Sequence, residues 1–269
     1  YFKPYGLNAS SFLSAYGLAE FTLAVSSQGR KIRSFRSDAL QRHKVVLADP
    51  NQPSAHSTDL VSCGQPLGDT NLKIVTPEPQ PKEAGESEVG EIWLSGTSKC
   101  QGYWNRPELS KETFEARLDD SSNTWLRTGD LGFVFEKEVY VCGRTKDMII
   151  MRGLNYYPQD IEAIVAENTS IRKGCVAAFA LEDQGRESLV VMAGLKNKKA
   201  IPDAFSINDK LVDYLGISAD SFIFVPARAI AKTSSGKIMR YQNKNHLLRN
   251  AIEIIHRVDI DQTESLQND

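Results

Sequence analysis

Gly143-Arg144-Thr145-Lys146-Asp147-Met148-Ile149-Ile150-Met151-Arg152-Gly153-Leu154-Asn155-Tyr156-Tyr157-Pro158-Gln159-Asp160-Ile161-Glu162 is the stretch across which the chain changes character. On its N-terminal side the texture is β. Val139-Tyr140-Val141-Cys142 reads as a strand ended by Gly143, and Leu72–Val75 and Glu91–Leu94 alternate polar and apolar residues. The proline- and glutamate-rich segment Pro77–Glu88 reads as an exposed loop. Further back, residues 28–60 are irregular, with a basic run from Arg30 and prolines at 50 and 53, and Ser10–Ser27 carries mixed apolar residues. On the C-terminal side the period switches. Asp147–Met151 reads as a short strand, and Pro158 suits the first helical position, where a missing N–H costs nothing. Ile161, Ile164 and Val165 then follow at helical spacing. Val176–Leu181 and Leu189–Leu195 read as strands buried on both faces, and Phe222–Val225 as a third. Ser206 with Asp209 reads as a capping box for a helix that carries Leu211 and Leu215 and stops at Gly216. Residues 238–256, with Ile238, Leu247, Leu248, Ile252 and Ile255, read as a terminal amphipathic helix, followed after Asp259 by a polar tail. The chain therefore divides near Gly143-Arg144 into a β-rich part, 1–143, and a small α+β part, 144–269.

Composition narrows the class. The 269 residues are 41% hydrophobic and 25% charged, values normal for a globular protein, which excludes disordered, collagenous and disulfide-scaffold chains. With 32 basic and 34 acidic residues the net charge is −2, which gives no general attraction to nucleic acid or anionic membrane. No apolar run approaches the length needed to span a bilayer. Four cysteines, at 63, 100, 142 and 175, are too scattered for a CxxC pair or zinc knuckle and fit a reducing, cytoplasmic compartment.

Several chemistries are excluded by missing motifs. No GxGxxG is present; Thr233–Lys237 lacks the first glycine and the final Ser/Thr of a P-loop; Gly64–Gly68 has proline where a nucleophile elbow has serine; and the four histidines form no HExxH.

Five polar clusters remain. Tyr16-Gly17-Leu18-Ala19-Glu20 can stack a base and offer a carboxylate to Mg²⁺, or it is a strand end with a surface glutamate. Asp130, in Thr128-Gly129-Asp130-Leu131-Gly132, can accept hydrogen bonds from a ribose diol, or it is a turn aspartate. Arg144-Thr145-Lys146-Asp147 with Arg152-Gly153-Leu154-Asn155 suits phosphate or hydroxyl recognition at a hinge, or it is a solvated linker. Lys232–Arg240 can deliver one lysine on a small loop to a phosphoryl group, or it is a polar helix start. The basic residues Arg30, Lys31, Arg33, Arg36, Arg42 and Lys44 can dock an acidic partner, or they form a solvated face.

Taken in order, the first four of these clusters together with Gly90–Gly96 and Gly102–Glu108 resemble the adenylate-forming ligases from about Ser10 to Arg240. Tyr156–Glu162 and Leu60–Gly64 are most similar to the fatty acyl-AMP ligases. The resemblance implies a mixed α/β (α+β) fold: the end of a large AMP-binding domain with a distorted β-barrel subdomain over 1–143, a family-type insertion at about 28–60, and a mobile C-terminal domain over 144–269. It implies that ATP and a fatty acid form an acyl adenylate, and that the acyl group passes to an acyl carrier protein or a polyketide synthase carrier domain. By resemblance, Tyr16 stacks on adenine; Ala15, Gly17 and Ala19 line the same pocket; Glu20 binds Mg²⁺; and Asp130 and Arg144 hold the ribose. Lys146 or Asp147 is the hinge, Gly153 and Asn155 meet the carrier's pantetheine arm, and Lys237 stabilises charge at the α-phosphate. The family's phosphate-binding loop belongs to a region that would precede Tyr1, so the resemblance is to a C-terminal portion, expected to be inactive alone. An acyl-CoA synthetase and a non-catalytic module of the same fold are the alternatives.

Overall fold

A computed structural model describes residues 2–49, 57–76, 81–118, 123–183 and 186–260. Pro50 and Pro53, residues 77–80 of the expected loop and the tail from 261 lie outside them. The chain forms two compact units, Tyr1–Lys146 and Asp147–Asp269.

The first unit is built from antiparallel strands. Strands β1 (Ser14–Leu18) and β2 (Leu23–Gly29) pair, and β2 also pairs with the short β5 (Gln65–Pro66). Strands β3 (Ile32–Arg36) and β4 (Ser57–Val61) pair over their whole length, with a single helical turn, α1 (Ser37–Leu40), after β3. A four-stranded sheet follows, in the order β6 (Asn71–Val75), β7 (Gly90–Ser95), β8 (Leu126–Phe135), β9 (Glu138–Arg144), with helix α2 (Pro107–Phe114) between β7 and β8. The β8–β9 turn places Glu136 and Lys137 at positive φ, the backbone of a tight two-residue hairpin. The expected barrel is not closed. Among the described residues these sheets meet near Ser62–Gly64 through one bridge, Ser62 with Tyr140, and flanking bonds such as Cys63 N to Val139 O, too short a ladder to join them.

The region read as an insertion is anchored in this unit. Phe35, wholly buried on β3, packs edge-on against Phe133, Phe135 and Tyr140 at centroid distances of 5.0, 5.6 and 5.5 Å. Lys31 and Arg33 reach across to Glu136 at 3.1 and 3.0 Å, and Lys31 also reaches Glu138. Arg36 pairs with Asp38, and Lys44 with Glu88. The basic run is therefore largely neutralised by the unit's own carboxylates, which favours a structural role over a docking one. Hydrogen bonds from Lys31 and Arg33 hold the Glu136 carboxyl below the usual carboxylate range. A depressed folded value means the clamp is complete above the ordinary glutamate range and is lost as pH falls through the lower value. In an NMR titration Glu136 should protonate below an exposed glutamate, and Lys31→Ala should move it back up. An ordinary midpoint in the wild type would contradict the clamp.

The second unit is a sheet with helices on both faces. Strands β10 (Ile149–Met151) and β11 (Leu154–Tyr156) form a hairpin turning at Arg152-Gly153, both at positive φ. Helix α3 (Pro158–Ala166) starts on Pro158 as expected. The main sheet runs β12 (Ile171–Asp183), β13 (Arg186–Leu195), β14 (Ser221–Pro226), β15 (His256–Asp259). Its β13–β14 pair is parallel, joined by the crossover helix α4 (Ala204–Leu215). Alternation along the strands explains the continuous apolar runs. Ala178, Leu189, Val191, Phe222 and Phe224 face Ile161, Val165, Ile207 and Leu211, while Phe179, Val190, Met192, Ile223 and Val225 face Ile230, Ile238 and Leu247.

Two helix boundaries differ from expectation. Helix α4 is capped not by Ser206 but by Asp203, whose side chain accepts from Phe205 N at 3.0 Å; the stop at Gly216 is as expected. The terminal helix α5 spans only Arg240–Leu248. Asn250 takes a positive φ of 50°, and Ala251 N and Asn250 N bond back to His246 O and Leu247 O. That left-handed cap ends the helix, so Ile252 and Ile255 lie beyond it and the chain turns into β15. Ile238 precedes the helix, bridged to Lys232.

Candidate active site

In the first unit the structure gathers three of the residues picked from sequence. Asp130 is 6% exposed, on β8. Its Oδ2 accepts from the Tyr16 hydroxyl at 2.7 Å and its Oδ1 from Arg144 Nε at 2.9 Å. Strand register causes this, since Asp130 and Arg144 are direct partners across β8 and β9. Burial and the neighbouring Asp130 push the Tyr16 hydroxyl well above its ordinary range, so it stays a donor. The Arg144 side chain is 67% exposed, with further donors free to face solvent.

The turn under Asp130 is held by a residue that the sequence reading missed. Glu91 is 5% exposed within the apolar strand β7. Its Oε1 accepts from Gly129 N at 3.0 Å, and its Oε2 from Trp93 Nε1 at 3.0 Å and Arg127 Nε at 3.1 Å. Thr128 Oγ1 donates to Ile92 O and accepts from Asp130 N. A carboxylate buried in an apolar strand needs such partners, and that was the available clue.

The other residues of the first cluster are placed differently. Along β1 Tyr16 is buried while Ala15 and Gly17 are exposed, and the pairing with β2 is irregular on both sides of Tyr16. At 9% exposure Tyr16 offers a base only a margin of its ring. Gly17 is needed for packing, because a Cβ there would sit 1.7 Å from Leu23 O. Ala19 and Glu20 follow in a 3-10 turn. Glu20 Oε1 accepts from the Tyr103 hydroxyl at 2.8 Å, and burial together with Glu20 pushes that hydroxyl up to about 12. Among the described residues no group of three or more His, Cys, Asp or Glu could hold a metal. A lone half-buried carboxylate fits an Mg²⁺ shared with substrate phosphates rather than a protein-built cage.

In the second unit Lys237 stands on a tight hairpin. Lys232 and Ile238 bridge, Thr233 N bonds Lys237 O at 2.9 Å, and Gly236 N bonds Thr233 O at 2.9 Å. Gly236, with φ 84°, supplies the left-handed residue of this three-residue loop. Lys237 is exposed. Lys146 is exposed and Asp147 half-buried, either side of the division between units. Gly153 is at the tip of the β10–β11 hairpin and Asn155 on β11.

No family model matches the chain. Over 89% of its length it is 38% identical to the medium-chain-fatty-acid–[acyl-carrier-protein] ligase JamA of Moorena producens, covering 42% of that protein. It is 36% identical over 89% of its length to the probable long-chain-fatty-acid–AMP ligase FadD30 of Mycobacterium tuberculosis, covering 43% of it. Along nearly its whole length the chain is similar to the fatty acyl-AMP ligases. It spans about two fifths of the length of these relatives. Among solved structures of the family, the Legionella pneumophila fatty acyl-adenylate ligase in complex with acyl adenylate and pyrophosphate aligns with 96% of this chain and 46% of its own, at 33% identity and a TM-score of 0.52. Among the described residues no helix is long and apolar enough to cross a membrane.

Proposed function

We propose that this chain acts as the C-terminal portion of an ATP-dependent ligase that activates a fatty acid as acyl-AMP and hands it to an acyl carrier protein, free or as a polyketide synthase domain. In the first step a carboxylate oxygen attacks the α-phosphorus and pyrophosphate leaves. In the second the carrier's phosphopantetheine thiolate attacks the acyl carbon and AMP leaves. The carrying observation is the Tyr16–Asp130–Arg144 cluster, in a chain similar to these ligases along nearly its whole length. Asp130 accepts from the ribose hydroxyls, Tyr16 keeps its carboxylate in place, and Arg144 offers its exposed donors to the same sugar. Ala15, Gly17 and Ala19 supply the exposed rim of the nucleotide pocket. Glu20 would hold an Mg²⁺ together with the substrate phosphates, and the ion would supply charge neutralisation there. Lys237 stabilises the transferring group, Lys146 or Asp147 is the hinge between a large-domain part and a mobile part, and Gly153 and Asn155 meet the pantetheine arm. The division at Lys146 supports that organisation. Four free cysteines fit a cytoplasmic setting.

The test uses a ligase of the relatives' full length containing these residues, with labelled ATP, a panel of fatty acids, and either coenzyme A or a phosphopantetheinylated carrier. Acyl-AMP that moves to the carrier but not to coenzyme A supports the reading. Efficient acyl-CoA release would assign a synthetase, and binding of ATP without any adenylate a non-catalytic module.

A further inference from the structure

The exposed Lys237 hairpin rests on a buried foot. Asn243, on α5, is fully buried. Its Oδ1 accepts from Ala231 N at 2.8 Å, and its Nδ2 donates to Ala231 O at 3.1 Å and Met239 O at 2.9 Å. Met239 N closes the foot by donating to Ala231 O at 3.0 Å. Arg240 comes next, its side chain 18% exposed. Its Nε and Nη2 donate to the two oxygens of Glu162 on α3 at 2.7 and 2.8 Å, and its Nη1 donates to Asp147 Oδ2 at 2.8 Å. Glu162 Oε1 also accepts from Ala178 N of β12 at 3.1 Å. One guanidinium thus joins the first residue of the second unit, a core helix and the foot of the hairpin.

We infer that Arg240 is a positioning residue for Lys237: its fork on Glu162 and its third bond to Asp147 fix where the hairpin leaves the unit and so where the lysine is presented. The inference rests on the role proposed for Lys237 and goes beyond it. Burying a charged trio is a poor way to gain stability, because apolar side chains of similar volume often serve as well or better. What the trio supplies is direction. A planar fork on a carboxylate fixes both orientation and distance, which an ammonium cannot do. Lys237 lies three residues before Arg240, at most roughly 11 Å along the chain, so a shift of the arginine is carried to the lysine. Small misplacements of a reacting group cost up to about a hundredfold in rate.

The experiment uses the full-length ligase with Arg240→Lys, which keeps the charge but loses the fork. The kcat for acyl-adenylate formation is expected to fall about tenfold or more while KM for ATP moves less than about twofold. In a Lys237→Ala background the same change should matter less than about twofold, because the lysine it positions is gone. Amide exchange over residues 233–239 should quicken while the β12–β14 core keeps its protection. Equal losses in both backgrounds, or unchanged exchange at the hairpin, overturn the inference. If Lys237→Ala alone leaves adenylation intact, the role proposed for the lysine fails, and exchange still decides whether Arg240 sets the hairpin. Should Arg240→Lys not fold, Asp147→Ala keeps the Glu162 fork and removes one bond. It should show the same pattern at about threefold.

Discussion

Replacing Lys237 with alanine in the full-length ligase is expected to slow acyl-adenylate formation by about two to three orders of magnitude, with no loss of thermal stability. The two halves of that expectation have separate physical causes. The rate loss follows from removing a positioned positive charge where negative charge gathers as the carboxylate oxygen meets the α-phosphorus. Removing one such preorganised donor costs about 3–4 kcal/mol of barrier, hence hundreds- to a thousandfold. The unchanged stability follows from the hairpin. Lys237 is exposed, and the loop is closed by backbone bonds, by Gly236 and by the Thr233 hydroxyl, which accepts from the Lys237 backbone N–H at 3.0 Å. Alanine keeps that N–H. Pyrophosphate exchange would measure the first half-reaction, and transfer from supplied acyl-AMP the second. Transfer should survive in the variant, since the role proposed for the lysine ends once pyrophosphate leaves. A variant crippled in both steps, or melting several degrees lower, would mean that Lys237 acts through the fold instead.

Much of this arrangement was legible in the sequence, for identifiable reasons. The strands 176–181 and 189–195 announced burial on both faces because both of their faces are covered, by α3 and α4 on one side and by the residues around α5 on the other. Pro158 and Gly216 marked helix ends because each is suited to one end only. Reading failed where the deciding partner lay far along the chain or where a weaker local signal won. The periodicity through 247, 248, 252 and 255 continued past a helix end that Asn250 sets by taking the left-handed conformation. Asp203, closer to the helix start, displaced the capping box. The links from Glu91 to Gly129, from Tyr103 to Glu20 and from Arg240 to Asp147 span 38, 83 and 93 residues, and no local pattern encodes such pairs. The site residues stood out as chemistry, while their supports stood out only once folded.

Phe35 shows how far one such distant contact reaches. Phe35→Ala is expected to destabilise the first unit by about 3–5 kcal/mol, whereas Ile32→Ala on the same strand should cost less than about 0.5 kcal/mol. Ile32 is 64% exposed and loses little by truncation. Phe35 is wholly buried and touches Phe133, Phe135 and Tyr140 together. Alanine leaves a ring-sized void and removes edge-to-face contacts each worth about 0.5–1.5 kcal/mol. Collapse into the void is resisted, because Phe133 and Tyr140 already stack at 5.3 Å and their strands are fixed by the β8–β9 ladder. The surface pairs from Lys31 and Arg33 to Glu136 cannot offset the loss, since exposed ion pairs contribute about 0–1 kcal/mol. All three tryptophans, at 93, 104 and 125, lie in this unit, so indole fluorescence during urea unfolding of the 269-residue chain follows it without a signal from the second. A midpoint that falls steeply for Phe35→Ala and barely for Ile32→Ala establishes that β3 is part of the unit's core. Equal, small shifts would show that the β3–β4 hairpin is an appendage the unit can do without.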